Sequence, residues 1–298
     1  MSVLNTLRFL THHPLCRDRK ARTLARWFAW QVGSRLVPGP VAVPFVNGSR
    51  LLVARGMTGA TGNLYTGLHE FEEMAFVLHL LRGSDLFVDV GANVGAYTVM
   101  AASLGARVIS VEPIPQTFAH LQRNVSLNQA TDRVTLQNCG LGAAPGVLRF
   151  TSGGDTVNHV LSENERTTPD AVEVEVKTLD ALLQDVQPRL MKIDAEGYET
   201  NIIRGGEKAL QRPSLDAIIM ELNGSGTRYG FDEAKLFQQI LAMGFAPFTY
   251  VPFERKLVSQ QSTNGDSGNV LFVRNVAQVQ DRLRSAPPFR VDLSGREV

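Results

Sequence analysis

The chain is short of cysteine, of net charge and of long apolar runs, and each shortage excludes a class of protein. Cys16 and Cys139 are its only cysteines. They form neither a disulfide framework nor a zinc-finger spacing, which fits a reducing, cytoplasmic compartment. The net charge of +1 gives no global electrostatic case for a nucleic-acid partner. No apolar run is long enough to span a membrane. The N-terminus lacks the uninterrupted apolar core and small-residue cleavage site of a signal peptide. What is present is the composition of a water-soluble globular chain, 44% hydrophobic and 20% charged, with enough residues to bury a full core.

The segment Leu86 to Ser103 organises the rest. An apolar run, Leu86-Phe87-Val88, reaches Asp89, turns through Gly91-Ala92-Asn93-Val94-Gly95, and continues through Ala96, Tyr97 and Thr98 with helical character. Strand, glycine turn and helix form the first half of a nucleotide-binding α/β unit. Glycine allows the sharp turn and the close approach of a ligand, and the helix N-terminus offers free N–H groups. A third glycine is missing, so this is not the dinucleotide fingerprint, and a nicotinamide-dependent oxidoreductase is disfavoured. After the next strand, Val108 to Val111, comes Glu112-Pro113. An acid at that strand tip suits the two hydroxyls of a ribose. Asp89, the glycine turn and Glu112 in this order are the arrangement used for S-adenosylmethionine.

Five stretches in order, DVGANVGAYT, SVEPIPQTFAHLQRNVSLN, NCGLGAAPG, VKTLDALL and MKIDAEGYETNIIRGG, resemble the FkbM family of S-adenosylmethionine-dependent methyltransferases. The resemblance runs from about Thr58 to Val273, and KIDAEG is its specific part. It implies a class I methyltransferase fold: a Rossmann-like, seven-stranded, mostly parallel α/β sheet with an antiparallel closing strand, here behind an N-terminal helical and hairpin extension. It also implies O-methylation of a hydroxyl on a sugar or other natural product. The expected cofactor-binding residues are Tyr65, Glu70, Asp89, Gly91, Ala92, Asn93, Gly95, Tyr97, Thr98, Glu112, Pro113, Asn138, Cys139, Gly140 and Asp194. The acids at the later strand ends, Asp194, Glu196 and Glu221, are the catalytic candidates, since a hydroxyl must lose its proton to attack. The same acids with Asn223 offer hard oxygen ligands to Mg²⁺, but the spacing does not require a metal, and metal-free catalysis is preferred. Rival readings are a methyltransferase acting on protein or nucleic acid, and a non-catalytic module keeping the fold.

The expected division is an N-terminal segment over 1–57, a methyltransferase domain over 58–276 and a tail over 277–298, loose from Ser285. Within Met1 to Leu36, seven basic residues face one acid, Asp18, and two short helices flank Pro14. A basic amphipathic helix suits peripheral contact with an anionic membrane, though a helix docked on the domain with its basic face in water is preferred. His12 and His13 are expected in solvent. A hairpin through Asn47-Gly48, a flexible glycine-rich loop over Gly56 to Asn63 and a helix from Phe71 to Leu81 follow, with Tyr65 and Glu70 placed over the cofactor as part of a lid. The polar loop holding Gly153-Gly154-Asp155 and His159 is read as substrate-selecting, with His159 a candidate base. The loop before Asn269 is read as mobile or substrate-facing.

Overall fold

The computed structural model describes residues 3–37, 39–154, 157–165, 171–260 and 268–298. The chain begins with helices α1 (Val3–His12) and α2 (Lys20–Leu36), then the hairpin β1 (Val41–Pro44) and β2 (Arg50–Val53). Helices α3 (Thr58–Thr66) and α4 (Phe71–Leu80) lead into β3 (Leu86–Val90), α5 (Ala96–Ser103), β4 (Arg107–Val111), α6 (Pro115–Leu127) and β5 (Val134–Gln137). The strands β6 (Gly140–Leu141), β7 (Gly146–Phe150) and β8 (Val172–Lys177) form a small separate sheet. Next come α7 (Leu179–Leu183), β9 (Leu190–Ile193), α8 (Glu199–Arg204), α9 (Glu207–Leu210), β10 (Ala217–Glu221) and α10 (Glu233–Ala242). The chain closes with β11 (Ala246–Val251), β12 (Lys256–Ser259), β13 (Asn269–Val273), α11 (Val276–Arg284), β14 (Arg290–Val291) and β15 (Arg296–Glu297).

The main sheet has the order β12-β11-β13-β10-β9-β3-β4-β5. Strands β5, β4, β3, β9 and β10 run parallel, while β13 lies antiparallel to β10 and to β11. This is the Rossmann-like class I arrangement with one addition. Strand β12 pairs with β11 inside the loop expected to be mobile, and makes an eighth strand. Residues 261–267 of that loop lie outside the described residues.

Side chains on the central strands alternate between two apolar layers, as the pleat requires. Phe87, Leu190, Ala217 and Ile219 pack toward α4 and α5, whereas Val88, Met191, Ile218 and Met220 pack toward α8 and α10. The first layer also takes in Leu10, Phe45, Leu51 and Val291, so residues from all three expected segments share one core. Buried Asn124 ties the hairpin to the glycine turn: its Oδ1 accepts from Leu52 N at 2.7 Å and its Nδ2 donates to Val94 O at 2.7 Å.

Three local expectations are corrected. Gly56 to Asn63 is not a flexible loop, because most of it belongs to α3, which buries Ala60, Asn63 and Leu64. The segment from Ser285 is not loose: β14 bridges to Val46, and Arg19 and Arg26 donate to the Ser294 and Leu293 carbonyls at 2.7 and 2.6 Å. His13 is buried between the Phe9 and Phe71 rings while His12 remains exposed. Burial holds the His13 pKa down at about 4.

Candidate functional site

Strand register alone assembles the site. Asp89 lies beside Ser110 on β4 and Lys192 on β9, and Lys192 lies beside Ile219 on β10. Two residues further on, just past the ends of β4, β3 and β9 and at the last position of β10, stand Glu112, Gly91, Asp194 and Glu221. Glu221 in turn pairs with Asn269 on β13. Five chain segments thus set a row of polar residues along the carboxyl edge of the sheet, where ligands of open α/β folds bind. A cavity of about 330 Å³ follows that edge.

At one end is the glycine turn. Gly91 has φ +75°, and a Cβ on it would stand 1.8 Å from the Asp194 carbonyl oxygen. Only glycine lets these two strand ends meet. Gly91→Ala is therefore expected to cost about 3 kcal/mol of stability, measurable by denaturant unfolding. Asn93 is left-handed at φ +51°, a conformation asparagine tolerates better than most residues. The Glu112 carboxylate crosses the gap, accepting from Asn93 N at 3.0 Å and Ile114 N at 2.9 Å. Burial raises its pKa to about 7 against those two donors.

At the other end is a charged cluster, buried at Lys192 and Asp89 and half-buried at its later acids. The Lys192 ammonium, 4% exposed, donates to Asp194 Oδ2 at 2.5 Å and lies 5.0 Å from the centre of the Tyr97 ring. Burial by itself would lower its pKa, but Asp194, Glu70 and Asp89 overcome that and raise it. Asp89 is 1% exposed; its Oδ2 accepts from Thr98 Oγ1 at 2.7 Å, and its Oδ1 has no partner among the described residues. Burial lifts its pKa to about 6. Glu70 accepts from Tyr97 Oη at 2.6 Å and from Asn269 Nδ2 at 3.3 Å, which fastens the α3–α4 segment across the cavity.

Asp194, Glu196 and Glu221 bring one carboxylate oxygen each within 4.8 Å of one another. Burial, then the neighbouring Asp194, raises Glu196 to about 7. Burial, then Asp194 and Glu196, raises Glu221 to about 9. Glu196 sits at φ +53°, an uncommon conformation for a long side chain. The loop carrying it is held by buried Glu199, whose Oε1 accepts from Ala195 N at 2.8 Å and Gly197 N at 3.3 Å.

Of the residues expected to bind a cofactor, Glu70, Asp89, Gly91, Ala92, Asn93, Tyr97, Glu112, Pro113, Cys139, Gly140 and Asp194 line the cavity, as do Glu196 and Glu221. Four expected residues do not. Tyr65 faces α2 instead, where Gln31 Nε2 donates to its hydroxyl at 3.0 Å. Thr98 lies behind Asp89 and positions it. Gly95 serves packing, since a Cβ there would meet Leu121 at 2.5 Å. Asn138 is exposed and donates to the Glu112 carbonyl at 2.8 Å. Asn223, the further oxygen ligand considered for Mg²⁺, is also exposed and accepts from Ser225 N at 2.9 Å. His159 is held by Glu165 and the Val157 carbonyl, and Asp155 lies outside the described residues. The residue the sequence reading missed is Lys192. Its signal was present: a lone charge in an apolar strand must find a partner when buried.

The sheet order, the glycine turn and the acid at the end of β4 define a class I S-adenosylmethionine-dependent methyltransferase. The family model for the methyltransferase FkbM domain matches residues 89–247, just over half of the chain. The chain belongs to this methyltransferase FkbM domain family. It is similar to methyltransferase sdnD of Sordaria araneosa, 24% identical over 192 residues that cover 53% of this chain and 74% of that one. It is also similar to hexuronic acid methyltransferase AglP of Haloferax volcanii, 26% identical over 157 residues that cover 52% of this chain. The chain spans 62% of AglP, less than two thirds of its length. Among solved structures, methyltransferase FkbM from Methylobacillus flagellatus aligns over 85% of this chain and 60% of its own, at 17% identity and a TM-score of 0.44. Among the described residues no helix is long and apolar enough to cross a membrane.

Proposed function

We propose that this chain transfers a methyl group to a hydroxyl of a saccharide or related hydroxylated natural product. The observation that carries this reading is the placement of three carboxylates in the same cavity as the glycine turn and Glu112. S-adenosylmethionine, when bound, supplies an electrophilic methyl carbon on a sulfonium. The residues suit it in two respects: Glu112 offers acceptors to ribose hydroxyls, and Asp89 Oδ1 is buried without a partner among the described residues.

The protein's own part is alignment and proton removal. A cofactor bound there would supply the methyl group, its carbon–sulfur bond breaking and the thioether leaving as the carbon–oxygen bond forms; Glu196 would take the proton that the acceptor hydroxyl loses. A pKa of about 7 suits a base that must be partly ionised at neutral pH and still hold a proton in the product. Glu221, raised to about 9, stays protonated and donates a hydrogen bond to the substrate. Asp194, clamped by Lys192, keeps one fixed orientation and accepts from a second substrate hydroxyl. The reading gains support from AglP, whose name gives hexuronic acid as its substrate class.

The same three carboxylates form a hard oxygen donor set, so assistance by Mg²⁺ is the second reading. Both are tested by offering neutral and uronic-acid-containing oligosaccharides with methyl-labelled S-adenosylmethionine, with and without EDTA. Label in an acid-stable methyl ether supports the proposal. Label in protein or RNA alone contradicts it. Activity lost in EDTA and restored by Mg²⁺ moves the three acids from base to ligand.

A further inference from the structure

The geometry points to a membrane-docking surface on α2, fitted to an anionic lipid bilayer. The helix packs its Trp27 and Trp30 side on the core. Its opposite side shows an apolar stripe to solvent. Phe28 is 64% exposed, Val32 43% and Leu36 75%, with Ala21, Ala25 and Ala29 exposed between them. At 100° per residue these six positions span about one third of the helix circumference. Lys20 and Arg35 border the stripe on one margin and Arg22 on the other, and all three are exposed. On α1, Val3 and Leu4 add exposed apolar surface, at 60% and 77%.

Ordinary helix amphipathicity puts the apolar side inward and the charges outward. Here the outward side is apolar with basic edges, the pattern of a helix lying in the headgroup layer. The charge argument also selects the occupant. Residues 3–37 carry seven basic side chains and one acid, Asp18, and Asp18 is paired with Arg296 at 2.8 Å. An anionic surface complements that field. A second copy of this chain laid on the same face would bring both sets of basic margins together and repel. Away from that stripe the same helix meets the segment beside the cavity: Arg26 and Gln31 of α2 bond to Tyr65 of α3, and Thr58, Gly59 and Asn63 of α3 line the cavity.

Co-sedimentation of the full chain with vesicles tests this surface. We expect binding to phosphatidylcholine vesicles containing phosphatidylserine, weak binding to phosphatidylcholine alone, and release at high salt. The combined substitution Lys20→Gln, Arg22→Gln, Arg35→Gln is expected to weaken binding about 100-fold. Phe28→Ser with Leu36→Ser is expected to weaken it at least about 10-fold. All five side chains are exposed, so thermal unfolding and S-adenosylmethionine affinity should remain unchanged in both variants. Failure to bind either vesicle, or equal binding to both that neither variant alters, overturns the proposal. So does concentration-dependent self-association of the wild type that Phe28→Ser abolishes, since that makes the face a contact between copies.

Discussion

Lys192→Met is expected to destabilise the folded chain by about 3–5 kcal/mol at neutral pH, the range for breaking a buried ion pair from one side. Methionine fills the space but removes the positive charge that faces Asp89, Asp194 and Glu70. Asp89 is the worst placed of the three, since it is fully buried with only Thr98 to satisfy it. The sign of the pH dependence follows from its pKa. Asp89 already titrates at about 6 in the folded wild type, above its unfolded value, and losing Lys192 raises it further. A carboxyl with a raised folded pKa costs stability that sets in above its unfolded pKa and is complete above the folded one; the extra cost in the variant, which depends on the two folded pKa values alone, develops only above the wild-type value and vanishes below it. The deficit of Lys192→Met relative to wild type should therefore shrink on acidification from about pH 7 to about pH 5. Urea unfolding at both values checks this. A deficit that is small and independent of pH would mean that Lys192 does not hold the cluster together.

Glu196→Gln is expected to lower kcat by about 10²–10⁴-fold, the usual contribution of a positioned general base. Glutamine is nearly isosteric and cannot accept the proton, so S-adenosylmethionine affinity should change little. In the wild type, kcat should rise with pH through about 7 as Glu196 ionises. Below that value it should fall about tenfold per pH unit, because the base is protonated. The Glu196→Gln variant should lose this limb. Wild-type-like kcat in the variant, measured with both substrates saturating, would remove Glu196 from the mechanism and leave Asp194 or Glu221 as the acceptor.

What the sequence disclosed follows the range of the interactions involved. The glycine turn, Glu112 and Asp194 are legible because a short stretch of chain determines each: an apolar strand, its end, and the residue just past it. Strand register then does the rest, aligning residues whose sequence separation hides their contact. Tyr65 is expected in the cavity from its place in a lid segment, and Thr98 and Asn138 from their closeness to strand ends, but sequence spacing does not say which side of a helix or loop faces inward. Lys192 lies within the KIDAEG motif, and its stronger signal is that a charge inside an apolar strand must find a partner. Gly56, Gly59 and Gly62 suggested a loop, and tertiary burial overrode that weak helix propensity. The tail looked loose because its partners, Arg19, Arg26 and Val46, lie near the opposite end of the chain. Strand β12 was hidden by the polar residues around it.

We propose that Glu112 and the glycine turn hold S-adenosylmethionine. Calorimetric titration of wild type and Glu112→Ala with S-adenosylmethionine and S-adenosylhomocysteine tests it most directly. Hydrogen bonds to a charged carboxylate are worth about 1.5–3 kcal/mol each. Saturable wild-type binding to both ligands is expected, with affinity about 10- to 100-fold lower in Glu112→Ala. Equal affinity in the two proteins, or no binding of either ligand to the wild type, would contradict it.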